Sequence, residues 1–288
     1  MTDENGNEVF EEADIYLPEG KKVVILSFDD LSYYHSYDNQ GYASRLLVDE
    51  DGKVINEYFD AEGNVHYGAY DYVPLLDAFI EEHPDASYRG AKGTVALTGY
   101  NGILGYRTDE SYTLDNPDLD RNKRVWLENN PDFDIEEHRA LAKEVADAMK
   151  ATGWTFASHT WGHLRVGDKP LSTLKADNER WQKNIAPLVG ETNVIIFAHG
   201  QDLGQWGDYD LTNEKVQYFM SAGFNVFCNV DSFEHRTHFG ETYLRQGRRN
   251  LDGIRFYYNL SGQQDNLSDL FNVEDIIDPL RPDYSVYQ

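Results

Sequence analysis

The chain has 288 residues, and 25 Lys+Arg against 51 Asp+Glu give a formal charge of −26. That balance excludes a basic nucleic-acid binder, which needs clustered cations for phosphate contacts. A hydrophobic fraction of 40%, with 20 Tyr, 14 Phe and 5 Trp, excludes a disordered acidic tail and predicts a packed globule. The single cysteine, Cys228, rules out an internal disulfide and a cysteine-based metal site. It lies in the apolar run Phe224 to Val230, where a thiol is expected to be a small buried hydrophobe. No apolar stretch approaches the ~20 residues of a membrane span. Residues 1–20 are acidic, unlike a signal peptide, and read as an extension or linker.

In chain order, Val23-Val24-Ile25-Leu26 predicts a strand covered on both faces, ending in Ser27-Phe28-Asp29-Asp30. Between Leu46 and Val65, the turns Asp51-Gly52 and Glu62-Gly63 predict hairpins. Val73, Leu76, Phe79 and Ile80 then recur at helical spacing, and Thr94 to Leu97 reads as a short buried strand. The segment Gly99 to Gly105 lacks the lysine and helix cap of a phosphate loop and reads as a turn. Asp132 to Gly153 holds the clearest helix, with Leu141, Ala142, Val145, Ala148 and Met149 on one face and Gly153 placed to stop it. Further strands are expected at Trp154 to Ala157, Val194 to Ala198, Phe224 to Val230 and Ile254 to Tyr258. Helices are expected at Leu171 to Leu188 and Thr212 to Ala222.

Strands alternating with helices imply parallel strands with crossovers, hence an α/β barrel or a doubly wound sheet. No linker interrupts the pattern, so one domain is expected over 21–262, with an insertion at about 40–130 and 263–288 as a tail packing on it.

Residues just beyond the carboxyl ends of parallel strands line active sites in such folds. Asp29, Asp30, His159 and His163 fall at such ends. His159 and His163 are four apart, which on a helical turn stacks two imidazoles on one side, close enough to share a divalent ion. One of the adjacent aspartates can complete the ligand set, leaving the other free as a base. Carboxylate and imidazole donors suit zinc first, with cobalt, nickel or manganese also compatible.

Ser27-Phe28-Asp29-Asp30 resembles the first motif (T/S-F-D-D) of the NodB-homology polysaccharide deacetylases, carbohydrate esterase family four. Ser158-His159-Thr160-Trp161-Gly162-His163 resembles their second motif (H-S/T-x-x-H). The resemblance covers roughly residues 20 to 260 and implies a distorted (β/α) barrel with a long insertion between the two motifs. It implies Asp29 as catalytic base, with Asp30, His159 and His163 as metal ligands. The chain departs from the family pattern in Leu31 where a glycine is usual, and in a third motif reading Phe197-Ala198-His199-Gly200-Gln201-Asp202, without arginine or prolines. It has no clear Leu-x-His; Arg248-Arg249-Asn250-Leu251-Asp252-Gly253 stands near that place.

The expected function is metal-dependent hydrolysis of acetyl groups from an N- or O-acetylated polysaccharide. His199 is expected as replacement acid or substrate contact, and Arg107 or Arg249 as substitute for the missing guanidinium. Gln201 is expected near the oxyanion position. Tyr33, Tyr34, Trp161, Trp206 and Tyr209 are candidate platforms for sugar faces. The partner would be a neutral acetylated glycan, since the net charge disfavours anionic polymers. The resemblance implies that the protein acts outside the cytoplasm or at a bacterial envelope. The alternatives are a catalytically impaired carbohydrate-binding relative and a metal hydrolase of a small amide or ester.

Overall fold

The computed structural model describes residues 10, 13–38, 40–230 and 236–278. The linker expected near the start, His235 and the last ten residues lie largely or wholly outside them. The described elements are β1 (Leu26–Asp29), β2 (Ala43–Val48), β3 (Val54–Phe59), β4 (Val65–Gly68), α1 (Tyr72–Glu82), β5 (Gly93–Leu97), α2 (Arg121–Asn129), α3 (Ile135–Ala151) and β6 (Thr155–Ser158). They continue with α4 (Leu171–Asn184), α5 (Ala186–Val189), β7 (Val194–Ile196), α6 (Glu214–Ser221), β8 (Val226–Val230), β9 (Thr237–Phe239), β10 (Leu244–Arg248), α7 (Gly253–Leu260) and α8 (Val273–Ile276).

The main sheet has seven strands in the order β1-β5-β6-β7-β8-β10-β9. All its pairings are parallel except β9 with β10. The expected insertion contains a separate three-stranded antiparallel sheet, β2-β3-β4. Helices begin where side chains can accept the first orphan N–H groups: Asp71 for α1, Asp134 for α3, Asn213 for α6 and Asp252 for α7. The turn after α3 needs Gly153, at φ 103°, because a Cβ there would lie 1.9 Å from the Gly90 carbonyl oxygen.

Strand alternation sorts the side chains onto two faces. Val95, Leu97 and Phe156 point into a large core shared with α1, α3 and the insertion sheet, and Ile195 and Phe227 point into a second core with α6. Ala96, Ala157, Ile196 and Cys228 make a narrow cluster on the opposite face. By register, Ser27, Asp29 and Arg248 share that face. The sheet curls around this face as a half-barrel, so Arg248 on β10 reaches β1 across the opening. Cys228 is buried there as expected, and desolvation pushes its thiol up to about 12.

Three element expectations are corrected. The first strand begins three residues later than its apolar run suggests: Val23, Val24 and Ile25 are 51%, 68% and 73% exposed, and only Leu26 to Asp29 pair with β5. β1 is the sheet's terminal strand, and among the described residues no further strand pairs along its outer edge to cover that run. Ile254 to Tyr258 is helical, within α7, because Asp252 caps the Arg255 N–H and initiates a turn. The last strands are instead β9 and β10. The long helix expected from Leu171 to Leu188 is two helices, broken at Ile185, where the following Pro187 has no N–H to continue the ladder.

Candidate metal centre

The cluster forms where β1, β5, β6 and β7 end. The Asp30 N–H donates to the Ala96 carbonyl, the last rung beside β5, and a left-handed backbone at φ 60° then turns the chain. That turn gives the two adjacent aspartates different surroundings. The Asp29 carboxylate is held by Arg248, whose Nη2 and Nη1 donate to its Oδ1 and Oδ2 at 2.6 and 3.0 Å, while Nε donates to Ser27 Oγ at 2.8 Å. This is a bidentate fork, whose two parallel bonds fix the plane of the carboxylate as well as its position. Asp30 Oδ1 instead accepts from the Tyr34 hydroxyl at 2.9 Å, leaving Oδ2 facing His163 Nε2 at 3.5 Å.

The His159 N–H extends the β6 ladder to the Leu97 carbonyl. Its ring Nδ1 lies 2.7 Å from the buried Ile196 carbonyl oxygen, which can only accept, so Nδ1 is the donor and Nε2 is the ring nitrogen left for a ligand role. His163 follows on a non-helical turn with Thr160 at φ 63° and His163 at φ 53°, not on the expected helical turn. The fourfold spacing still joins the rings, at 5.0 Å between centroids, because the loop folds back on itself. Thr160 Oγ1 accepts the Leu164 N–H at 2.7 Å, and the two carboxylate oxygens of buried Asp177 accept the Trp161 and Gly162 N–H groups, both at 2.8 Å. Desolvation raises the Asp177 carboxyl to about 6, against the lowering effect of those two donors. The neighbouring Gly99 is required by close approach, since a Cβ there would lie 2.4 Å from the Trp161 ring.

One ligand atom each from Asp30, His159 and His163 lies within 4.8 Å of the others. A carboxylate oxygen and two imidazole nitrogens at that separation fit a divalent ion with further positions open. Burial, reinforced by His159 and His199 and opposed by Asp30, lowers the His163 pKa and favours its neutral, ligating form. His199, at φ 58°, sits beside this group with its ring 4.3 Å from that of His163, and its Nε2 approaches the His163 carbonyl at 3.3 Å.

The other expected site residues have their own partners. Arg107 is a buried loop brace, donating to the carbonyls of Ser32, Asn101 and Tyr33. Arg249 pairs with Asp269, so neither is the guanidinium beside Asp29. The Gln201 N–H donates to the Ala198 carbonyl at 3.2 Å and is not free for an oxyanion. Tyr33 is packed against the large core, its hydroxyl accepting from Asn56 on the insertion sheet. Trp161 is pinned by its Nε1 donating to Asp109 at 2.7 Å, with the Arg180 guanidinium over its ring. Trp206 lies against Arg236, Arg245 and His238, and Tyr209 is buried against Asp202 and Arg245. Sequence reasoning missed Arg248, Asp177 and the role of Tyr34 as a partner of Asp30. The signal for Arg248 lies in the Arg248 to Gly253 segment, where Arg249 is the expected guanidinium and Arg248 the one that reaches Asp29.

Compared with known proteins, the chain matches no family model, no curated protein and no solved structure. Fold and cluster together define a mixed α/β protein with a curled, mostly parallel sheet and a candidate two-histidine, one-aspartate metal centre at its strand ends. No described helix is long and apolar enough to cross a membrane.

Proposed function

We propose that this chain is a metal-dependent hydrolase that removes acetyl groups from an N- or O-acetylated polysaccharide, on a fold of the distorted (β/α) barrel type used by polysaccharide deacetylases. The observation that carries the reading is the division of labour between Asp29 and Asp30: one is forked by Arg248, the other shares a corner with His159 and His163. A solvated acidic pair has no need of two such different settings.

A divalent ion held by Asp30, His159 and His163, zinc before cobalt, nickel or manganese, would polarise the acyl oxygen and lower the pKa of water toward ~7. Asp29, aligned by Arg248, takes the proton of the attacking water. Tyr34 fixes Asp30 through Oδ1, and the Ile196 carbonyl fixes the His159 tautomer. His199 gives a proton to the departing amine or alkoxide as the acyl bond breaks and acetate is formed.

The test is acetate release from acetylated chitooligosaccharides and acetylxylan by metal-loaded protein, beside Asp29→Asn and a metal-content assay. Metal-dependent release that the variant abolishes is the expected result. Stoichiometric metal without acetate from either polymer would overturn it in favour of a glycan-binding relative. Release from small acetyl esters or amides alone would point to a small substrate.

A further inference from the structure

Next to the metal corner, and sharing a residue with it, is a hollow of about 250 Å³ lined by Tyr34, Tyr37, Tyr100, Asn101, Asp120 and Asn122. Tyr34 and Tyr100 stack at 5.6 Å, and Tyr37 meets Tyr34 edge-on at 6.3 Å. These rings give apolar faces with hydroxyl edges. Asn101 Oδ1 is occupied by the Tyr112 hydroxyl, while none of its described hydrogen bonds uses the side-chain NH2. Asp120 lines the hollow as the cap of α2, its Oδ1 accepting the Lys123 N–H at 2.9 Å. The Lys123 ammonium is turned into the protein, donating to Ser111 Oγ at 2.6 Å. His35 adds no charge at neutral pH, because burial and then Arg107 lower its pKa to about 4.

From this combination we infer that the hollow is a subsite for one neutral pyranose ring of a glycan, adjoining the ring that is deacetylated. Aromatic faces suit the C–H faces of a sugar, and amide and carboxylate groups suit its hydroxyls. The volume lies just below the ~300–1,000 Å³ of small-molecule sites, which suits a single ring. Tyr34 joins the two places: its ring lines the hollow while its hydroxyl holds Asp30. Asp120 and Asn122 come from the insertion, at and just inside the start of α2, so this subsite gives the insertion a role in substrate choice.

The ligand class rests on the glycan reading above, but binding is measurable without turnover. The experiment is calorimetric titration of the full chain carrying Asp29→Asn with chitotriose and xylotriose. Tyr37→Ala and Asn122→Ala are then added separately, both at exposed positions, with Tyr88→Ala before β5 as a control. Thermal unfolding of each variant checks folding. At least one trisaccharide is expected to bind, with affinity reduced on the order of tenfold by each hollow variant and unchanged by the control. Absence of binding, or affinity unmoved by both hollow variants, would overturn the subsite. If acetate is released while those variants leave affinity unchanged, the subsite fails and the deacetylase reading stands. Binding that depends on Tyr37 and Asn122 without acetate release leaves the subsite standing and removes the deacetylase reading.

Discussion

The two ends of the parallel sheet handle left-handed backbone differently. At the amino ends, the turns entering β6, β7 and β8 place Gly153, Gly190 and Gly223 at positive φ, where glycine adopts it without a Cβ clash. Arg89 is the exception among the described residues there. At the carboxyl ends, Asp30, Tyr33, Leu104, Thr160, His163 and His199 take the same conformation with full side chains. Such residues cost about 1–3 kcal/mol each and persist only where surrounding structure holds them. Asp177, the Arg107 brace and the Tyr34 hydroxyl are that surrounding structure. Arg89 apart, the first end leaves left-handed backbone to glycine, while the second, beside Gly102, Gly105 and Gly200, also imposes it on Asp30, His163 and His199 of the cluster and its neighbour.

The harshest way to break the functional end is His159→Ala, expected to abolish stoichiometric metal binding and lower acetate release on the order of 10³-fold or more, as metal analysis and turnover will show. Arg248→Met comes next: metal content is retained while kcat falls on the order of 10²-fold, because the Asp29 carboxylate loses its alignment. Denaturant unfolding should also show a loss of about 2 kcal/mol, from a charged hydrogen-bonded pair left unmade.

Two substitutions sharpen the contrast directly. His199→Gly is expected to raise stability by about 1 kcal/mol by relieving left-handed strain, while lowering acetate release about 10²-fold. Gly223→Ala, in open space at φ 96°, is expected to lower stability by about 1 kcal/mol with turnover unchanged. A gain of activity in the first, or a loss in the second, would dissolve the distinction.

The remaining effect is on pH and is spread over the whole molecule's stability. His138 and His35 both have pKa values lowered to about 4, first by burial and then by Arg107, and the His138 Nδ1 accepts the Arg107 N–H. Their folded values lie below the unfolded ~6.5, so the unfolded chain takes up these protons first. Their contribution is present above pH ~6.5 and is lost as pH falls toward 4. Urea midpoints should decline across that window, and His138→Gln should flatten the decline.

Much of this was legible from sequence because the signals were local. The alternation of strand and helix, the hairpin insertion, the Asp-Asp pair and the four-residue histidine spacing all arise within short segments. Arg248 was not legible as the partner of Asp29: 219 positions separate them, and only the curl of the sheet brings them together. The exposure of Val23 to Ile25 was hidden for a related reason, since an apolar run does not say whether anything lies beyond the sheet's edge. The helix at Gly253–Leu260 has a readable cue in its cap, Asp252, although the run Ile254 to Tyr258 by itself suits a strand.

The fork between Arg248 and Asp29 also acts as a clasp across the open side of the half-barrel, where no described backbone rung joins β10 to β1. Among the described residues, strand β1 pairs with the sheet only along β5. Its peeling away is therefore a sub-global opening that removes the proposed base while most of the molecule stays folded. Native-state hydrogen exchange would register that event as weaker protection in β1 than in β6 and β7. Inactivation on warming would then precede the loss of helical signal, and the clasp sets the gap between them.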